Sequence, residues 1–111
     1  MPGSAPSSLK ISETTSSDLV HVTWKTPGEP NGEITGFEIS HKLLEPGQDW
    51  TSEKVRGDAQ TCPIGNIVPG KTYIFKIRAL NEMGPGPFRN GIIHCQVDIN
   101  ILFSEPLIFR G

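Results

Sequence analysis

The chain has 111 residues, with ten lysines and arginines against twelve aspartates and glutamates and a formal net charge of −2 at pH 7. That length supports one domain with a real hydrophobic core and no need of disulfide staples. The basic residues are scattered singly and no basic stripe alternates with aromatics, which argues against nucleic acid and anionic membrane as partners, and no run of 18 apolar residues is present to cross a bilayer.

Residues 1–5, Met-Pro-Gly-Ser-Ala, read as a linker or an expression scar and lack the basic and apolar regions of a signal peptide. One domain is then expected over 6–111. Leu9–Glu13 reads as a short edge strand and Leu19–Lys25 as a central one with Val20, Val22 and Trp24 facing inward. Thr26–Gly32 is a turn cluster holding Pro27, Gly28, Pro30 and Asn31-Gly32. Ile34–Leu43 follows with Phe37, Ile39 and His41 on one face, then the shorter Gln48–Arg56. Thr61–Asn66 is expected at a sheet edge, because Pro63 has no N–H for a ladder. Tyr73–Asn81 is the clearest strand: Tyr73, Phe75, Ile77 and Ala79 alternate with Lys76, Arg78 and Leu80, and Gly84-Pro85-Gly86-Pro87 ends the run. Tyr73, just past the Pro69-Gly70 corner, is placed to send its hydroxyl back to a nearby carbonyl. Strands spaced roughly ten residues apart, with no helical period, predict an all-β sandwich.

The stretch Ile67-Val68-Pro69-Gly70-Lys71-Thr72-Tyr73 and its continuation into Arg78-Ala79-Leu80-Asn81-Glu82-Met83-Gly84 resembles the last third of a fibronectin type III domain, with Ile67 standing for the family's leucine and Lys71 interposed. Val20–Trp24 followed by Pro27 is similar to the family's second strand with its core tryptophan, and Asn31–Ile39 to the turn into the third. The resemblance covers about residues 6–87 and 103–110. It implies a seven-stranded immunoglobulin-like sandwich whose signature residues are Trp24, Pro69, Gly70, Tyr73, Ala79, Asn81 and Gly84. It also implies a scaffold for protein partners with no common ligand, hence a non-catalytic interaction or spacer module of a larger multidomain protein.

After Pro87 the family pattern expects a Ser-x-Pro and a last strand, which Ser104–Arg110 supplies. The 15 residues Phe88–Leu102 then read as an insertion, of the kind alternative splicing produces. They are strand-like: after an Asn90-Gly91 turn, Ile93, Cys95, Val97, Ile99, Ile101 and Phe103 alternate with His94, Gln96, Asp98 and Asn100. Two segments therefore compete to pair with Tyr73–Asn81. Ile92–Phe103 is preferred over Ser104–Arg110, since it buries six apolar side chains at about 1.5–3 kcal/mol each. In either case one surplus strand together with its alternating apolar residues invites edge pairing or strand exchange, so a homo-oligomer built on Ile93, Cys95, Val97, Ile99, Ile101 and Phe103 is the alternative function.

Loops Pro27–Glu33 and Asn81–Asn90 are expected at one end of the sandwich, which makes Asn31, Met83 and Pro85 candidate partner contacts. Trp50 reads as a cap on the core edge or, if exposed, as an anchor for a partner. Arg56-Gly57-Asp58 is the tripeptide that integrins read, here between the fourth and fifth strands and not between the sixth and seventh as in family members that use it. A solvated Gly-Asp turn is its simpler explanation, and adhesion a further alternative. Cys62 and Cys95 are too few for a disulfide framework and read as buried thiols. With no Asn-x-Ser/Thr acceptor present, they lean towards an intracellular setting, with an extracellular one as the alternative. His94 and Cys95 point to opposite faces of a strand, and His21 and His41 have no ligand at metal-binding spacing. No metal, cofactor or catalytic constellation is expected, and the chain is not read as an enzyme.

Overall fold

In the computed structural model, which describes residues 3–28 and 31–96, the alternating apolar runs of Val20–Lys25, Gly36–Leu43 and Thr72–Asn81 form strands. They are β1 (Ser7–Glu13), β2 (Val20–Lys25), β3 (Gly36–Leu43), β4 (Thr51–Arg56), β5 (Thr61–Ile64), β6 (Thr72–Asn81), β7 (Gly84–Pro85) and β8 (Arg89–His94). One sheet has the order β1-β2-β5; the other has β4-β3-β6, with both β7 and β8 paired to the far side of β6. All pairs are antiparallel, and no helix occurs among the described residues. The two sheets enclose Val20, Val22, Trp24, Cys62 and Ile64 from one side and Phe37, Ile39, Tyr73, Phe75, Ile77 and Ala79 from the other. The all-β sandwich expected from the strand pattern is therefore the observed fold. β6 is the clearest case: its inward residues are buried and every residue between them is partly exposed. β5 lies at a sheet edge with Pro63 opposite His21, where its missing N–H costs no ladder bond to a second neighbour.

The C-terminal strand departs from its expected bounds. The position beside β6 is taken by Arg89–His94, in register from Thr72 opposite His94 to Ile77 opposite Arg89, and not by a strand starting at Ile92. Asn90-Gly91, expected as a turn, lies inside β8 opposite Lys76 and Phe75. The cause is non-local. Gly91 faces β1, and a Cβ there would stand 3.1 Å from Ile11 Cδ1 and 3.2 Å from Leu9 Cδ2, so glycine serves close packing. Arg89 Nε donates to the Pro6 carbonyl at 2.5 Å, tying the start of β8 to the start of β1. Pairing continues past the strand: Cys95 N donates to Lys71 O at 2.9 Å, and Gly70 N to Cys95 O at 2.8 Å. Cys95 is buried and Ile93 packs on the core, so both serve the domain's own interior. Val97, Ile99, Ile101, Phe103 and the segment Ser104–Arg110 lie outside the described residues.

The Pro69-Gly70 corner, with Gly70 at φ 87°, turns the chain into β6. The Tyr73 hydroxyl does return to the backbone here, but as an acceptor: Val68 N donates to Tyr73 Oη at 2.9 Å. A carbonyl partner was expected; the N–H wins because Val68 has no strand neighbour to bond. Tyr73→Phe leaves that N–H unmet and is expected to destabilise the domain by about 1–3 kcal/mol. In urea, the midpoint should fall at unchanged slope; an unmoved midpoint would show that the corner does not stabilise the fold.

Candidate partner-binding surface

Gly36, at the start of β3, sits opposite both Arg56 at the end of β4 and Leu80 near the end of β6. The connections β2–β3, β4–β5 and β6–β7 consequently leave the sandwich at one pole, which gathers Asn31, Arg56-Gly57-Asp58, Met83 and Pro85. Asn81 organises the pole. It is buried, its Nδ2 donates to Asn31 O at 3.1 Å, and its Oδ1 accepts from Met83 N at 2.9 Å. Asn81 pairs with Gly84, whose φ of 123° lets Glu82-Met83 form a two-residue turn. Across the pole, Thr35 N donates to Leu80 O at 2.8 Å. The result is a set of loops pinned to each other with Met83, 73% exposed, at the tip.

Arg56-Gly57-Asp58 forms a turn whose glycine answers to packing: a Cβ on Gly57 would lie 2.1 Å from the Ile34 carbonyl oxygen. The flanking charges turn to each other, with Arg56 Nη2 2.9 Å from Asp58 Oδ2 while both side chains stay open to solvent. Exposed pairs of this kind contribute only about 0–1 kcal/mol.

Trp50 is not at the pole and does not cap the core. Its ring lies against the outer face of the second sheet, with Lys76 Nζ 4.1 Å and Lys42 Nζ 4.7 Å from the ring centre. Phe88 and Arg78 extend this array, and neither was singled out in the sequence. The available signal was the outward set of β6, Lys76 and Arg78, next to an aromatic residue just before β8.

Two buried thiols and one half-buried imidazole lie on the inner side. The Cys62 thiol is pushed up to about 11, first by burial, then by the Glu53 carboxylate, whose Oε2 it meets at 3.6 Å. Burial, then Glu13, raises Cys95 as well. Both cysteines are free and stay protonated at neutral pH, which makes them poor nucleophiles. Among the described residues no group of three or more His, Cys, Asp or Glu could hold a metal ion. His41 stacks on Phe75 at 5.2 Å, and its Nδ1 finds no hydrogen-bond partner among the described residues. Burial holds its pKa below the usual 6.5, opposed by Glu53. The folded state thus resists a proton that the unfolded chain accepts, so stability is full above about pH 6.5 and falls as pH drops below it. The urea midpoint is expected to be lower at pH 5 than at pH 7.5, and His41→Leu should flatten that difference; an equal slope in the variant would assign the effect elsewhere.

Residues 4–94 match the fibronectin type III domain family. The chain belongs to that family. The match ends at His94, the last residue of β8. Among curated proteins, this fibronectin type III chain is 35% identical to human netrin receptor DCC over 112 residues, covering 98% of the chain and 7% of the receptor. It is 29% identical to tyrosine-protein phosphatase Lar of Drosophila melanogaster over 111 residues, covering 97% of the chain and 5% of that protein. The chain thus spans only a small part of the relatives it matches. The third fibronectin III domain of human KIAA0343 protein superposes with a TM-score of 0.78 at 18% identity, covering 88% of this chain and 86% of that one. The FN5 domain of Drosophila Lar does so with a TM-score of 0.69 at 23% identity, over 88% and 100%. Those structural likenesses concern the fold alone.

Proposed function

We propose that this fibronectin type III domain is one non-catalytic module of a larger receptor-like protein, in which it docks a partner protein through the pole that carries Asn31, Met83 and Pro85. The observation that carries the reading is Met83, 73% exposed on a turn held by Asn81. An adaptable apolar side chain supplies contact area there, and the pinned backbone that carries it has little freedom left to lose on binding. One relative, netrin receptor DCC, is a receptor by name, which favours a cell-surface parent protein over the intracellular setting that two free thiols suggested. Adhesion through Arg56-Gly57-Asp58 has an exposed turn in its favour, but the two charged side chains engage each other. Self-association through the run from Ile93 to Phe103 would draw on Ile93 and Cys95, which pack in the domain's own core, and on Val97, Ile99, Ile101 and Phe103, which lie outside the described residues.

The test is a photo-crosslinking side chain at position 83, compared with one at Val68, exposed at the opposite pole. With the protein presented to intact cells, a discrete crosslinked species is expected from position 83 alone. Met83→Asp should weaken capture of that species about ten-fold or more, with the thermal midpoint unmoved. Equal capture from both poles, or none from either, would overturn the reading.

A further inference from the structure

The outer face of the second sheet carries an array that the loop pole does not use. Strand alternation sends Tyr73, Phe75 and Ile77 inward and leaves Lys76 and Arg78 pointing out. Lys76 Nζ lies between two rings, 4.1 Å from the Trp50 centre and 4.4 Å from the Phe88 centre. Arg78 Cζ lies 4.5 Å from the Phe88 centre, and Lys42 Nζ 4.7 Å from that of Trp50. Three cations and two rings in sequence hold one another in place, since each charge rests on the negative face of a π-system. The one outward acid of β3, Glu38, is already engaged: Arg78 Nη2 lies 2.6 Å from its Oε1. Lys54, exposed on β4, stands opposite Glu38 in register. A face with Lys42, Lys54, Lys76 and Arg78 against a single paired carboxylate is basic on a chain whose net charge is −2. Beside the cations, Ile92 of β8 is 62% exposed and stands opposite Ile74, so apolar surface borders the charges.

We infer that this sheet face is a second docking surface, and that its occupant is a protein segment carrying carboxylates spaced among apolar side chains. Charge complementarity selects the carboxylates. The bordering Trp50 and Ile92 select a protein over a sulfated glycan, which offers dense anionic charge and little to place on exposed apolar surface. Because the rings already order Lys76 and Arg78, a carboxylate meets donors that have little side-chain freedom left to lose.

The probes are a synthetic peptide of alternating glutamate and tyrosine, the same peptide with glutamine for glutamate, and a heparin oligosaccharide, each titrated into the isotope-labelled 111-residue chain at low ionic strength. The glutamate peptide is expected to bind saturably and to shift the Trp50 indole N–H resonance and the amides of 74–78 and 89–92. The glutamine peptide should bind at least about ten-fold more weakly, and Lys76→Gln should weaken the glutamate peptide by a similar factor, while Met83→Asp leaves it unchanged. The shift map on the unaltered chain stands even if Lys76→Gln fails to fold. No saturable binding, shifts centred on the loop pole, or binding of heparin without binding of the glutamate peptide would each overturn the proposal.

Discussion

A chain lacking Phe88–Leu102 is expected to lose its cooperative unfolding transition. The deletion takes away all of β8, with six residues in register with β6, and the bonds between Cys95 and the Gly70-Lys71 corner. It strips the flank of Tyr73 and Phe75 and removes Ile93 and Cys95 from the core. It also releases β1, which is tied to β8 through Arg89 and Pro6 and through Gln96 N to Glu13 Oε1 at 2.9 Å. Each buried apolar side chain lost is worth about 1.5–3 kcal/mol, and a domain of this size has only about 5–15 kcal/mol in all. An unpaired β6 edge would in addition invite aggregation. The measurement is a urea or thermal melt followed by circular dichroism and tryptophan fluorescence together. A sharp transition that coincides in both probes would mean that Ser104–Arg110 replaces β8 and that 88–102 is an insertion the fold tolerates. A broad or absent transition would make 89–94 the domain's own last strand.

Trp24→Ala is expected to cost about 3–5 kcal/mol, the range for emptying a large buried aromatic site. Trp24 is 2% exposed and projects from β2 across the gap between the sheets to Phe37 on β3, ring centres 5.4 Å apart and planes tilted at 56°. Nothing adjacent can fill the space, because the flanking Val22 and Ile39 are already fully buried. At roughly 4–8 °C per kcal/mol for a domain of this size, the thermal midpoint should fall by more than about 12 °C. Trp24→Phe keeps a ring against Phe37 and should lose far less. A fall under about 4 °C in the alanine variant would mean that the ring does not space the sheets.

Much of this was legible in the chain because strand period is a local property. Which residues of β2, β3 and β6 face inward follows from alternation alone, and the structure buries Val20, Val22, Trp24, Phe37, Ile39, Phe75 and Ile77 accordingly. The gathering of Asn31, Met83 and Pro85 at one pole was readable from strand order, since antiparallel neighbours fix where their loops emerge. The direction of the Tyr73 hydrogen bond was not, because a hydroxyl serves as donor or acceptor according to which backbone group its neighbour leaves unpaired. Nor was the position of Trp50, whose ring lies on lysines from two other strands.

By itself, then, the sequence determined the sandwich, its inward faces and the edge role of β5, which rest on short-range pattern and turn chemistry, and its motifs carried the resemblance to the family. Only the tertiary structure decided which C-terminal residues complete the second sheet. Of two competing strand-like segments, burial favoured Ile92–Phe103, but the residues that pair, 89–94, were set by long-range fit: a glycine at 91 where Leu9 and Ile11 press in, an arginine at 89 within reach of Pro6, and a cysteine at 95 bonded to the corner before β6. Such fit depends on residues some eighty positions apart in the chain, and alternation carries no information about them.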